Sequence, residues 1–281
     1  MCLVGSAITI TPERSESVLF SEPNYSGGVV LVVRSAGETR TASFWSGIRS
    51  SFNKTFLRED RWRLFAQGIA NTLLITVLSL LCGTALGFGM YMLCRNGNPV
   101  ANGFTRVAMW LVQGTPMVVL LMILFYIVFG KASVSGILVA VIGFSLTFGA
   151  SVLGLLKMGV GAVDSGQTEA AYALGYPNRR TFFTIVLPQA LPHVLPAYSG
   201  EVVGLIKSTA IVGYIAVQDL TKMGDIVRSR TYEAFFPLIA VTVIYFVLEA
   251  LLGFAVKMIG SRLDPRRRKP EDILKGVKTD D

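Results

Sequence analysis

Apolar residues gather in long blocks along this chain, and polar residues fall between them. A hydrocarbon core about 30 Å thick needs about 20 apolar residues in helical form. Residues 69–93 carry no charge over that length, and 107–130 form a second uncharged stretch. Residues 132–156 are a third, spanning from about Gly136. A fourth, 194–217, contains Glu201 and Lys207; a fifth, 234–256, contains Glu249. Inside a bilayer the backbone must satisfy its own hydrogen bonds, so these lengths predict helices. The pattern predicts an all-α membrane protein with five transmembrane helices, over residues 67–260.

The remaining segments read differently. ITITPERSE and FSEPNYSGG predict a short strand and turns, and VVLVV at 29–33 a strand. Residues 35–41 form a linker. Across 41–66, apolar positions at Phe44, Ile48, Phe52, Phe56, Trp62 and Phe65 recur mostly every three or four residues. That spacing fits an amphipathic helix on a membrane surface, or a juxtamembrane stretch packed on the protein. The longest polar gap between spans, 157–195, exceeds a tight connection and implies a module with its own purpose. Residues 261–281 make a basic tail.

Composition agrees with the blocks. Of 281 residues, 52% are hydrophobic and 16% charged, with mean hydropathy +0.56. A soluble domain is about 25% charged. The formal net charge of +8 is no argument for nucleic acid, because membrane proteins carry excess Lys and Arg in cytoplasmic loops. Orientation follows the same rule. Arg262, Arg266, Arg267, Arg268 and Lys269 outweigh Arg58, Arg61 and Arg63, which Glu59 and Asp60 dilute. The C-terminus is therefore expected in the cytoplasm and the N-terminus outside, with Arg95, Arg106, Arg179 and Arg180 also inside. Cys82 and Cys94 share one predicted helix about 18 Å apart, too far to bridge. The opening residues, without a basic start and a long apolar run, are not expected to act as a secretory signal peptide, and no metal cluster is expected; His193 reads as a loop histidine.

The long loop carries the most specific pattern. Glu169-Ala170-Ala171, three residues, Gly175, nine residues, Ile185, one residue and Leu187-Pro188 resemble the coupling-loop signature of the membrane subunits of bacterial ABC importers. Small Ala170 and Ala171 would let a short helix approach a partner closely. Gly175 would permit a turn that other residues resist, and Pro188 would limit the next helix start. The resemblance implies a knob seated in an ATP-hydrolysing subunit, with subunit closure passed to the spans as rigid-body motion.

Other stretches are similar to polar amino-acid permeases of the histidine, glutamine and arginine uptake type. These are Gly68–Thr72 with Thr76, Ser79, Gly83 and Gly87, then Arg106 with Gln113-Gly114-Thr115-Pro116. Residues 205–209, 213–221 and 228–237 extend the likeness. Residues 8–14, 20–23 and 30–33 resemble part of the amino-acid-binding proteins that feed such importers. Residues 1–40 would then be a remnant of a fused binding protein, with about 35 residues too few to bury a core. One departure is Ala150–Gly154, where relatives often read Ala-Tyr-x-x-Glu: Ser151 replaces the aromatic and Gly154 the acid.

The resemblance implies a permease subunit in the bacterial inner membrane, not an enzyme. No phosphate-loop motif is present, so ATP would be used by a partner, with no cofactor on this chain. Implied partners are two ATPase subunits, a second permease copy forming a homodimer, an extracytoplasmic amino-acid-binding protein and the lipid bilayer. Candidate pathway residues are Gln113, Gly114, Thr115 and Pro116, whose break would free backbone carbonyls, or would simply kink the helix. Lys207 is another, its ammonium facing a substrate carboxylate or sitting at the membrane boundary; Thr209 lies beside it. Glu201 is about 120° from Lys207 and not on its face. Glu249 reads as structural or dimer-lining. Gly83, Gly87 and Gly89 read as packing positions. A non-transporting receptor derived from such a subunit is the alternative, motivated by the short N-terminus and Gly154. A membrane enzyme is a more remote one, since no nucleophile or metal set is visible.

Overall fold

Uncharged runs become long helices wherever no proline or capping residue interrupts them. The structure is a computed structural model and describes residues 18–20, 32–34, 44–95 and 97–263. The chain divides into two units, residues 1–50 and 51–281. In the first, β1 (Val18–Phe20) pairs antiparallel with β2 (Val32–Arg34), Leu19 opposite Val33. β2 includes the last two residues of the predicted 29–33 strand. Most of the proposed binding-protein remnant lies outside the described residues, as does the tail beyond Leu263.

Helix α1 (Phe44–Phe52) begins the predicted amphipathic stretch. In the second unit a π-helical turn (Asn53–Leu57) and a 3-10 turn (Arg58–Asp60) continue it. Phe56 stands 5.0 Å from Phe65 and 6.4 Å from Phe236, ring centre to ring centre. From Asn53 onward this stretch therefore packs on the protein.

The first span is α2 (Trp62–Cys94). Asn98 caps α3 (Pro99–Gly114), accepting from Val100 N at 3.0 Å, with Pro99 at the first position where its missing N–H costs nothing. Next come α4 (Met117–Met122) and a π-helical turn (Ile123–Val128). Ser135 caps α5 (Gly136–Gly161), accepting from Leu138 N at 3.3 Å. Two short helices follow, α6 (Ser165–Ala173) and α7 (Asn178–Thr181), then a π-helical turn (Phe182–Val186) and α8 (Leu187–Ser208). A 3-10 turn (Thr209–Ile215), α9 (Leu220–Thr231) and α10 (Phe235–Leu263) complete the fold.

The five predicted stretches become three continuous helices, α2, α5 and α10, and two bent pairs. The second stretch bends by 106° between α3 and α4, where Thr115 and Pro116 are extended. The fourth bends by 56° before α9. The polar module is shorter than its predicted 157–195, because α5 runs to Gly161 and α8 begins at Leu187. Pro188, Pro192 and Pro196 stand one turn apart in α8, so their missing donors lie on one stripe. Membrane helices tolerate such prolines where neighbouring elements and local π adjustments absorb the freed groups. The π-helical turn Phe182–Val186 runs directly into α8, so Pro188 does not start a helix from coil, and His193 lies in α8 rather than in a loop.

The core lies between α2 and α5, the most extensive helix interface, and extends to α8. Ile75, Phe144, Phe148, Leu153 and Val202 fill it. Gly83 and Gly87, on α2, face α5: a Cβ on Gly87 would lie 2.5 Å from the Gly149 carbonyl oxygen. Close approach is therefore what these two glycines supply. Gly89 does not join them; a Cβ there would meet nothing within 4 Å. On α3 and α10, large apolar side chains such as Phe104, Trp110, Phe246 and Phe254 stay exposed. Lipid tails match that surface as water cannot.

Candidate functional site

The helix–turn–helix after α5 is built from local signals. Asp164 caps α6, accepting from Gly166 N at 2.7 Å. Glu169, Ala170 and Ala171 lie in the second turn of α6, which Gly175 then ends. Gly175 N donates to the Tyr172 carbonyl at 2.9 Å, and Tyr176 N to the Ala171 carbonyl at 3.0 Å. This pair of bonds is a Schellman motif, which needs a left-handed residue. Gly175 has φ +78°, and a Cβ there would meet nothing within 4 Å. The requirement for glycine is thus backbone conformation and not room.

The module has a buried base and an exposed crest. Ala171, Thr181, Phe182 and Val186 are buried. Glu169, Ala170, Tyr172 and Leu174 are exposed. Ala171 therefore uses its small side chain inside the chain, whereas Ala170 stays on the surface. Ile185 is half-buried in the π-helical turn, and its carbonyl accepts from Gln189 Nε2 at 3.0 Å. Leu187 and Pro188 are half-buried at the start of α8.

The candidate pathway residues do not form one site. Gln113 and Gly114 are exposed at the end of α3, and Thr115 donates to the Leu111 carbonyl at 2.7 Å. Lys207 Nζ lies 3.0 Å from Glu249 Oε1, an ion pair joining α8 to α10. Thr209 is fully buried and donates to the Ile206 carbonyl at 2.7 Å, which tightens α8 into the 3-10 turn.

A cavity of about 210 Å³ lies instead among α4, α5 and α8. Its lining includes Thr147, Ser151, Glu201 and Ser208, beside Met117 and Phe148. Sequence reasoning weighed Glu201 only against Lys207. The signal for it was the spacing Glu201, Gly204, Leu205, Ser208, which places one polar-and-small stripe on one face of α8. Pro116 and Lys207 are sequence neighbours of lining residues without themselves lining the cavity.

A second polar cluster went unnoticed at the break before α9. Asp219 is fully buried and caps α9, accepting from Thr221 N and Lys222 N, each at 3.0 Å. Tyr245 Oη donates to the same carboxylate at 3.1 Å, and Leu220 N donates to Thr72 Oγ1 at 3.2 Å. Asp219 thereby joins α9 to α10. An Asp just ahead of Leu-Thr-Lys-Met is an N-cap signal that the sequence did carry.

Among the described residues no group of His, Cys, Asp and Glu is arranged to hold a metal ion.

Comparison with known proteins gives a concordant picture. The family described as binding-protein-dependent transport system inner membrane component matches residues 83–269. A putative glutamine transport system permease protein, GlnP, of Rickettsia typhi is 32% identical over 201 residues, 70% of this chain and 91% of its own length. The arginine transport system permease protein ArtQ of Bacillus subtilis is 34% identical over 207 residues, again 70% and 91%. The crystal structure of an amino acid ABC transporter with histidines superposes with a TM-score of 0.62 at 28% identity, covering 78% of this chain and 98% of that one. An inward-facing structure of the methionine ABC transporter MetNI shares the fold, with a TM-score of 0.60 at 22% identity, covering 73% and 98%. With two thirds of its length matched by that family, this chain belongs to the inner-membrane components of binding-protein-dependent transport systems, as a transport subunit and not an enzyme.

Proposed function

We infer that this chain is the translocation subunit of an ATP-driven importer of polar amino acids. The observation that carries the coupling part is the α6–Gly175–α7 module, a knob with a buried base and an exposed crest. Glu169 and Ala170 are on that crest, Gly175 sets its corner, and Ala171, Ile185, Leu187 and Pro188 seat it on the spans. A separate ATPase subunit takes the crest, one for each of two permease copies. ATP is used there, and this chain holds no cofactor.

Arg95, Arg179 and Arg180 cluster at the knob end of the bundle, which fits a cytoplasmic face. The N-terminal end of α2 then faces outward, where a binding protein delivers its solute. The exposed apolar faces of α3 and α10 are available to lipid and to a second, identical copy.

The amino-acid part rests on relatives named for glutamine and arginine transport. Within the chain, the cavity beside Glu201 offers a carboxylate for a substrate ammonium and hydroxyls from Thr147, Ser151 and Ser208. Glu201 supplies from α8 an acid that Gly154 lacks on α5. The bent Gln113–Pro116 segment leads to Met117 at its rim. Lys207, held by Glu249, and Thr209, buried, support this pathway from outside it.

The test is uptake. Deleting the gene from its host should abolish energy-dependent uptake of at least one radiolabelled polar amino acid, and restoring the chain should return it. Unchanged uptake across all polar amino acids contradicts the reading.

A further inference from the structure

The end of α2 meets the knob across a long sequence separation. α2 ends at Cys94, and Arg95 caps it, donating its N–H to the Tyr91 carbonyl. The Arg95 guanidinium carbon stands 4.1 Å from the centre of the Phe182 ring. Its Nη2 also donates to Asn178 Oδ1, and to the Asn178 carbonyl at 3.4 Å. Phe182 is 1% exposed and stacks on Tyr91, with ring centres 5.7 Å apart. Beside it Phe183 stands 6.3 Å from Phe88.

This is a grip of a particular kind. A planar guanidinium can lie on an aromatic face and donate from its edge at once; a lysine ammonium cannot do both. Both contacts lie just beyond Gly175, on the second arm of the knob. The covalent chain ties the knob to α5 and α8, so those helices follow it without help. α2 is remote in sequence and has no such tie. It also holds the most extensive interface of the fold, against α5.

We propose that Arg95 is a positioning residue that makes α2 move with the knob, so that displacement by an ATPase is carried into the α2–α5 pair. The proposal deepens the coupling function assigned to this segment and rests on it. Coupling free energies of ordinary size change a linked equilibrium by about 5–150-fold. Loss of this grip belongs in that range.

The experiment uses the full chain in its host, recovered with its partners and placed in proteoliposomes. Readouts are the ATPase recovered, ATP hydrolysed, and uptake of a mixture of radiolabelled polar amino acids. Arg95→Ala should retain the ATPase at wild-type stoichiometry and lower the solute carried per ATP by about tenfold. Arg95→Lys should recover part of that loss. Phe182→Leu should act in the same direction, and the double variant Arg95→Ala/Phe182→Leu should be no worse than Arg95→Ala alone. A merely structural role predicts a falling amount of complex with the solute carried per ATP unchanged in what remains, and that outcome overturns the proposal. A wild-type ratio for Arg95→Ala, with the complex intact, overturns it and leaves the coupling function standing. A wild-type chain that recovers no ATPase overturns both. If Arg95→Ala does not accumulate, Phe182→Leu carries the same expectation, and a wild-type ratio there is equally fatal.

Discussion

Replacing Gly87 by alanine should separate α2 from α5. The new Cβ would sit 2.5 Å from the Gly149 carbonyl oxygen, 2.7 Å from Val152 Cβ and 2.9 Å from Val152 Cγ1. Ordinary contact begins at 3.4 Å, so relief of the first clash needs a shift of roughly 0.9 Å. The obstructing atom is backbone, and a rotamer change cannot move it. The two helices must part, and the contacts of Ile75, Phe144 and Phe148 loosen with them. Overpacking of this kind costs about 1–3 kcal/mol. At roughly 3 °C per kcal/mol for a chain of this size, the apparent Tm in detergent should fall by about 3–9 °C. The control is Gly89→Ala, two residues away on the same helix, where the added methyl meets nothing within 4 Å. It should leave the Tm unchanged or raise it slightly, since alanine favours the helix over glycine. The assay is thermal denaturation of both variants and wild type in one detergent. Equal Tm values for Gly87→Ala and Gly89→Ala would refute the claim that close α2–α5 packing organises the fold.

Asp219→Ala removes an N-cap and the acceptor for Tyr245, and should lower stability by about 1–3 kcal/mol by thermal denaturation, with Asp219→Asn between it and wild type. Lys207→Met or Glu249→Gln alone strands a charge in a membrane span, so each should reduce accumulated protein more than the double variant does, measured by quantitative blot. Glu201→Gln should weaken uptake of an amino acid about tenfold or more without loss of the chain from the membrane, because a charge-assisted hydrogen bond to an ammonium is lost. The Lys54 ammonium, 2.8 Å from Glu233, holds that carboxyl below its usual range. Its folded pKa is depressed, so the pair contributes above about pH 4.3 and is lost as pH falls through the lower folded value. Solvent screening limits that contribution to at most about 1 kcal/mol, and Glu233→Gln should erase this pH dependence of the Tm.

The sequence made the spans legible because a bilayer demands length and apolarity, and 69–93, 132–156 and 234–256 satisfy both without interruption. Bends were less legible. Pro116 breaks its stretch by 106°, yet three prolines in α8 leave that helix running. Residue order alone does not separate the two cases. Gly175 was readable because its turn is local, whereas the burial of Ala171 depends on how α6 sits in the fold. Glu201 and Asp219 carry local signals, a polar stripe and an N-cap, but their surroundings come from elsewhere in the chain. One matters through a cavity that three helices enclose, and the other through Tyr245 on the last span. The sequence offers Lys207 for a substrate carboxylate or the membrane boundary, and its partner Glu249 lies on another helix.

Whether the knob holds an ATPase decides the coupling function most directly. The chain is tagged in its host, extracted gently, and the proteins recovered with it are identified for wild type, Glu169→Ala and Gly175→Val. Glu169 is exposed on the crest, and valine at φ +78° strains the corner. Recovery of an ABC ATPase with wild type and its loss from both variants, each still present in the membrane, is the predicted result. A stable wild-type chain that brings no ATPase, or variants that retain it undiminished, contradicts the coupling function.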